Sequence, residues 1–233
     1  MYGLAEYLAL SQTGARVLLT TTTKIGAAQC RGGKLLLGSP SADEIEAAFT
    51  DGGFPFVGGG LAQGKVTGVQ PEYLDRLMDA EVADYVIVEA DGAKHLPFKA
   101  YEANEPVIPI STSLQVVLLG AEILIAPSSA ANTFRYPLFR ERWGRGESSP
   151  LTCSRLAEIL CSRDEYMKGA VAGSKKMLLI NKCDLLQRDK ACNMHRTAGE
   201  LAGLLTCYDY LAFASLRDDR LYYFAALREG GLG

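Results

Sequence analysis

The six cysteines of this chain contain no CxxC pair, and its only histidines, His95 and His195, are far apart in sequence. No tetrahedral set of nitrogen and sulfur ligands follows from that spacing, so neither a zinc site nor a haem is expected. Long apolar runs are also missing. The longest, Leu114 to Ala126, is broken by Gln115, Gly120 and Glu122, well short of the roughly 20 residues that span a bilayer. No signal peptide opens the chain, so the expectation is a soluble cytoplasmic protein without a membrane partner. In that setting Cys30, Cys153, Cys161, Cys183, Cys192 and Cys207 read as free thiols used for packing in a reducing compartment. A basic stripe is absent too: 24 Lys and Arg stand against 27 Asp and Glu for a net charge of -3. Nucleic acid, which is bound largely by counterion release, is therefore not an expected partner. The last absence weighs most: no segment reads as a complete G-x-x-x-x-G-K-[ST] phosphate loop.

What is present makes that gap conspicuous. Asn181-Lys182-Cys183-Asp184 follows the apolar run Met177-Leu178-Leu179-Ile180, as a base-reading loop follows a buried parallel strand. In a loop of NKxD type the Asp carboxylate accepts from the ring N–H and the exocyclic amine of guanine together. Adenine lacks that donor pair, so Asp184 would favour GTP over ATP by roughly 1.5 to 3 kcal/mol. Asn181 would hold the loop and the Lys182 stem would cover the ring. Phe213-Ala214-Ser215-Leu216, one helix and one strand later, lies where a second base-contacting loop with Ser215 is expected. A plain strand-to-turn junction would use the same residue types.

With 233 residues, 48% of them hydrophobic, the chain is long enough for one α/β domain, and residues 1–233 are expected to form one. Tyr2 to Leu10 carries Leu4, Tyr7 and Leu8 at helical spacing. Val17-Leu18-Leu19 reads as a buried strand entering Thr20-Thr21-Thr22-Thr23-Lys24. Ser41 with Glu44 forms a capping-box pattern for a helix to about Phe49, and Pro71 opens another to about Ala80. Further strands are expected at Tyr85–Val88, Gln115–Leu119, Met177–Ile180 and Tyr210–Ala214, with helices at Leu151–Cys161 and within Lys190–Leu205. Residues 126–150 read as an irregular connection. This alternation predicts a mostly parallel, doubly wound sheet of P-loop NTPase-like type. A helix before the first strand implies a strand before that helix. The chain is thus expected to lack its first strand and phosphate loop, as an N-terminally truncated domain.

Other strand ends carry candidate chemistry. Glu89-Ala90-Asp91-Gly92 offers Asp91 as a Mg2+ ligand and Glu89 for positioning water, the catalytic pair of this reading. Thr22, Thr23 and Lys24 supply hydroxyls and an ammonium suited to phosphate, although threonine is also simply a good strand former. Lys94, Lys99, Glu102 and Glu105 make a charged segment that is either a switch or a solvated loop. Gly59 to Lys65 matches G-x-x-x-x-G-K, but Val66 replaces the required hydroxyl and Gly68 with Pro71 blocks the following helix. It reads instead as a β-hairpin or glycine-rich turn.

The ordered blocks Val17–Lys24, Val88–Lys94, Glu105-Pro106-Val107-Ile108-Pro109 and Asn181–Asp184 resemble the YqeC family along essentially the whole chain. Arg135 to Phe139, Leu151-Thr152 and Gly64-Lys65 add to the likeness. The family is described as accessory proteins of selenium-dependent molybdenum hydroxylases. In it a strand and a G-x-G-G-K-T-T-type loop precede the first helix. The resemblance implies a role in maturing a molybdenum enzyme, with that client or its cofactor as partner, and GTP (or ATP) with Mg2+ as ligands. A GTPase, a non-catalytic binding or scaffold protein and an ATP-dependent kinase or ligase-like enzyme all remain open at this point.

Overall fold

A computed structural model describes residues 1–12, 14–30, 32–144, 149–188 and 193–228. The chain divides into two compact units, Met1–Gly92 with Pro106–Thr112, and Ala93–Glu105 with Ser113–Gly233.

In the first unit, α1 (Tyr2–Ser11) leads into the wholly buried β1 (Val17–Thr21). After β2 (Ile25–Gly26) and β3 (Leu35–Leu37) comes α2 (Ala42–Thr50). Its N-terminus is closed as the sequence predicts: Ser41 Oγ accepts from the Glu44 amide and Glu44 Oε2 from the Ser41 amide. β4 (Phe56–Gly58), β5 (Gly60–Ala62) and β6 (Lys65–Thr67) precede α3 (Pro71–Asp79), which has proline at its first position, and β7 (Tyr85–Glu89). Four strands form a parallel sheet in the order β3-β4-β1-β7. Side chains alternate across it. Leu18 and Val57, with Val86 and Val88, pack with Ile45 of α2 and Tyr73, Leu74 and Leu77 of α3. Val17, Leu19 and Phe56 pack with Ala5, Ile25 and Val66 on the other face. Both faces are covered, which is why the strand segments read as continuous apolar runs. α1 departs from expectation, since Leu4 is 50% and Tyr7 66% exposed and Ala5 is its one fully buried residue.

The G-x-x-x-x-G-K match is a hairpin. β5 and β6 pair antiparallel around Gln63 (φ 51) and Gly64 (φ 72), the positive-φ pair of a tight two-residue turn.

In the second unit β8 (Phe98–Lys99), β9 (Leu114–Gly120) and β10 (Thr133–Phe134) come first, then α4 (Tyr136–Arg142) and α5 (Cys153–Leu160). β11 (Lys175–Asn181), α6 (Asp184–Arg188), α7 (Met194–Leu204), β12 (Tyr210–Ser215) and β13 (Arg220–Ala226) complete it. The sheet order is β13-β12-β11-β9, parallel except for the β13 edge. Its core gathers Leu178, Ile180, Leu211 and Phe213 with Leu156 and Leu160 of α5 and Ala198 and Leu201 of α7.

Three expectations need correction. The strands foreseen in one doubly wound sheet belong to two separate four-stranded sheets, because β7 pairs only with β1 and β9 only with β11. Residues 126–150 are not wholly irregular: β10 and α4 lie there. Arg135 enters α4 at φ 56, and Pro137 in its first turn has no amide that the helix would have to satisfy. Finally, Cys161 and Cys207 are joined in a disulfide rather than standing as free thiols. Cys153 and Cys183 are buried as expected, Cys30 is half-buried, and Cys192 and the start of the Lys190–Leu205 segment lie outside the described residues.

Gly68 supports the end of β1 by close backbone approach. A Cβ there would lie 2.2 Å from the Thr22 carbonyl carbon, whereas one on Gly203 in α7 would meet nothing within 4 Å. Gly68→Ala is expected to destabilise the protein by about 1–3 kcal/mol through overpacking. Gly203→Ala is expected to stabilise it by about 0.5–1 kcal/mol through helix propensity. Urea midpoints of the two variants against the parent check both signs.

Candidate functional site

Parallel pairing brings the carboxyl ends of β9, β11 and β12 to one edge of the second unit's sheet, where α/β sheets hold their ligands. Asn181 ends β11, and its Oδ1 accepts from the Leu216 amide at 2.9 Å, tying the two loops together. Lys182 turns the chain through φ 63, an uncommon conformation for a residue with a side chain. Its ammonium rests on Glu122 Oε1 at 2.6 Å. Cys183 then points inward, fully buried, with its amide donating to Ala214 O at 3.0 Å and its thiol to Ile180 O at 3.2 Å. That pocket explains why the third position of the tetrapeptide takes a small apolar side chain. Asp184 returns to the surface, its side chain 20% exposed.

The Asp184 carboxylate is poised rather than saturated. Ser215 Oγ lies 3.2 Å from Asp184 Oδ1 and 2.8 Å from Asp218 Oδ2, and its single proton serves one of them at a time. That hydroxyl is the main cause holding the Asp218 carboxyl below its ordinary range. Arg188, at 3.8 Å from Asp184 Oδ2, makes only a loose ion pair. Glu122 Oε2 is buried with no protein hydrogen-bond partner. A Cβ on Gly120 would fall 2.2 Å from that oxygen, so only glycine fits there. The edge thus gathers the acceptors Asp184, Asp218 and Glu122, with the Lys182 ammonium and the Arg188 guanidinium beside them. Reading the sequence had singled out Asn181, Lys182, Asp184 and Ser215, but not Glu122 or Asp218. Neither sits in a motif, and the parallel register alone carries them to the same edge.

In the first unit, β1 and β7 are neighbours and Thr21 is the register partner of Glu89. The threonine block and the Glu89-Ala90-Asp91-Gly92 block therefore meet at one sheet end. Thr20 Oγ1 donates to Val57 O at 2.8 Å, Thr21 Oγ1 to Glu89 O at 2.9 Å and Thr22 Oγ1 to Val107 O at 2.6 Å. These three hydroxyl protons are committed to main-chain carbonyls. Thr23, half-buried, and Lys24, exposed, follow in the loop beside Glu89 and Asp91. Among the described residues no group of three or more His, Cys, Asp or Glu side chains could hold a metal. A Mg2+ held by one carboxylate together with phosphate and water does not require one.

In the charged segment after Asp91, Lys94 and Glu102 are exposed, whereas Lys99 is buried and Glu105 half-buried. β8 pairs with β10 so that Lys99 stands beside Phe134. The Lys99 side chain is only 4% exposed, and its ammonium meets Glu105 Oε2 at 2.9 Å and lies 4.6 Å from the Tyr101 ring centroid. Arg135 clamps the same carboxylate, at 2.6 Å to Oε2 and 2.9 Å to Oε1, and reaches Glu102 at 3.0 Å. Lys94, a candidate nucleotide contact of the same charged segment, has its ammonium 4.9 Å from the Phe134 ring centroid in this cluster. The sequence-derived residues thus fall into two sets, Thr22, Thr23, Lys24, Glu89 and Asp91 in one unit, and Lys94, Asn181, Lys182, Asp184 and Ser215 in the other.

A family model described as "YqeC protein" matches residues 1–137. That span takes in the threonine block, Glu89–Gly92 and the Lys99–Glu105–Arg135 cluster, and stops before Asn181. "Uncharacterized protein YqeC" of Escherichia coli (strain K12) is 29% identical over 182 residues, covering 78% of this chain and 70% of that protein. No solved structure matches.

Both partner cations hold the Glu105 carboxyl down at about 2, against the desolvation that would raise it. A carboxyl depressed in the folded state contributes stability that is present above its unfolded value and is lost as pH falls toward the folded one. Stability is therefore expected to drop between about pH 4.5 and 2, and Glu105→Gln should flatten that slope. At neutral pH Glu105→Gln, which removes the carboxylate shared by Lys99 and Arg135 while Arg135 keeps Glu102, is expected to cost about 3 kcal/mol. Urea unfolding across a pH series measures both effects.

Proposed function

The chain belongs to the YqeC family, and we propose that its second unit carries the base-reading half of a guanine-nucleotide site. The observation that supports this is the Asp184 carboxylate. It is anchored on one side by a hydroxyl shared with Asp218, partly exposed, and set in an edge that offers acceptors. Guanine brings two adjacent donors, the ring N–H and the exocyclic amine, and a carboxylate accepts both. Asn181 holds the two loops in register, and Lys182, tethered to Glu122, covers the base with its stem. Taken by itself, the first unit offers Thr23, Lys24 and Asp91 as its own candidates for phosphate and Mg2+, with Glu89 orienting water, and Lys94 is the second unit's candidate for phosphate. The metal would neutralise charge on the terminal phosphates. Thr22 contributes by holding Val107, since its proton is engaged. The physiological role that accords with the family resemblance is maturation of a selenium-dependent molybdenum hydroxylase, with GTP binding gating delivery or modification of its cofactor in the cytoplasm.

One observation favours a second reading, a binding or scaffold protein that hydrolyses nothing. The single internal G-x-x-x-x-G-K segment is a hairpin, and three of the four clustered threonines spend their protons on the main chain. An ATP-dependent enzyme is separated from both by base preference.

The test uses nucleosides, which need no phosphate contacts. Guanosine is expected to shift the amide resonances of Asn181, Lys182 and Leu216, with adenosine far weaker. Asp184→Asn should weaken guanosine roughly tenfold to a hundredfold and move the preference to xanthosine, whose extra carbonyl accepts from the new amide. Equal response to guanosine and adenosine, or an unchanged preference in Asp184→Asn, would refute the guanine assignment.

A further inference from the structure

Away from the edge just described, the second unit has a cleft of about 520 Å³ whose wall contains both half-cystines of the Cys161–Cys207 disulfide. Cys161 closes the C-terminus of α5, and Cys207 sits in the turn between α7 and β12. Each is half-buried, so the bond forms part of the cleft surface rather than of the packed interior. The volume lies within the range of small-molecule sites.

The charge of the wall is one-sided. Among the described residues, Arg163, Lys168, Lys176 and Arg228 line it and no carboxylate does. Three of these cations donate to main-chain carbonyls: Lys168 to Glu102 O, Lys176 to Ser174 O at 3.1 Å, and Arg228 to Thr206 O. A carbonyl orients an ammonium without cancelling its charge. The nearby acid Asp209 is already occupied by the Lys175 ammonium at 3.5 Å and the Lys176 amide at 2.8 Å. A positive field around a disulfide does two things. It concentrates anionic reactants by a factor of 10 or more. It also stabilises the thiolate that departs when the disulfide is attacked.

We propose that this cleft is a thiol–disulfide exchange site for a small thiol bearing carboxylates. The incoming thiolate attacks one sulfur of the Cys161–Cys207 bond. A mixed disulfide forms, the original S–S bond breaks, and the electron pair leaves on the other cysteine as a thiolate. A second molecule of thiol attacks the mixed disulfide and departs as the oxidised dimer. Two thiols are oxidised, one protein disulfide is reduced to two cysteines, and the two protons of the thiols end on those cysteines.

The experiment compares reduction rates of the oxidised full chain by glutathione (anionic), 2-mercaptoethanol (neutral) and cysteamine (cationic). Alkylation and intact mass give the readout, with rates normalised to thiolate concentration. Glutathione is expected to exceed cysteamine at least tenfold at low salt, with the ratio shrinking as salt screens the field. In Lys168→Gln/Lys176→Gln the glutathione rate should fall severalfold more than the 2-mercaptoethanol rate, which loses only the stabilisation of the departing thiolate. That internal control separates loss of the field from a folding defect. Equal rates for the three thiols, a variant that slows all three alike, a disulfide inert to glutathione, or an intact mass lacking the Cys161–Cys207 bond would each overturn the proposal.

Discussion

Parallel strands cannot be joined by a tight turn, so each must be reached by a crossover, and all their carboxyl ends then emerge at the same edge of the sheet. Both units depend on this constraint. In the first, β1 lies between β4 and β7, and the loops that leave them carry Thr22–Lys24 and Glu89–Gly92. In the second, β11 lies between β9 and β12, and their loops carry Glu122, Asn181–Asp184 and Ser215–Asp218. Residues that are 60 or 35 positions apart come within hydrogen-bond distance because the register of the sheet leaves them nowhere else to be.

The polar groups of these edges divide by what their protons are doing. Thr20, Thr21 and Thr22 give theirs to carbonyls of neighbouring segments, which fixes the loops and spends the hydroxyls. Ser215 has two carboxylates for one proton, which leaves acceptor capacity for a ligand. The same distinction applies to charge. Lys99 and Arg135 share the Glu105 carboxylate in a largely desolvated cluster, with Glu102 also on Arg135. The four cations around the Cys161–Cys207 cleft share its wall with no carboxylate among the described residues. Counting charged residues along the sequence does not separate these cases.

Much of the fold was legible because its signals are local. The capping box at Ser41 and Glu44, proline at the first position of α3 and the apolar runs of β1, β7, β9, β11 and β12 each state their conformation within a few residues. The hairpin over Gly60–Thr67 was legible for the same reason, since Val66 follows Lys65 where a phosphate loop needs a hydroxyl. Less legible were β10 and α4, two short elements in a stretch rich in Ser, Arg and Pro. α4 is held by Phe139 packing on Phe98, which also stacks on Tyr166, and β10 by its pairing with β8. Nor did the thiol pattern disclose the pairing of Cys161 with Cys207, which needs a helix end and a distant turn to meet.

The sequence by itself determined the strands β1, β7, β9, β11 and β12, the acids, amides and hydroxyls at their ends, and that Asn181 to Asp184 leave a buried strand as a loop. Those properties depend on side-chain periodicity and turn chemistry, which act over a few residues. Tertiary structure alone decided that the strands form two sheets rather than one. It also decided that Glu122 holds Lys182, that Ser215 is contested by Asp184 and Asp218, and that Lys99 is buried against Glu105 and Arg135. Most of these are choices among partners distant in the chain, made by desolvation and register, and none is set by side-chain periodicity alone.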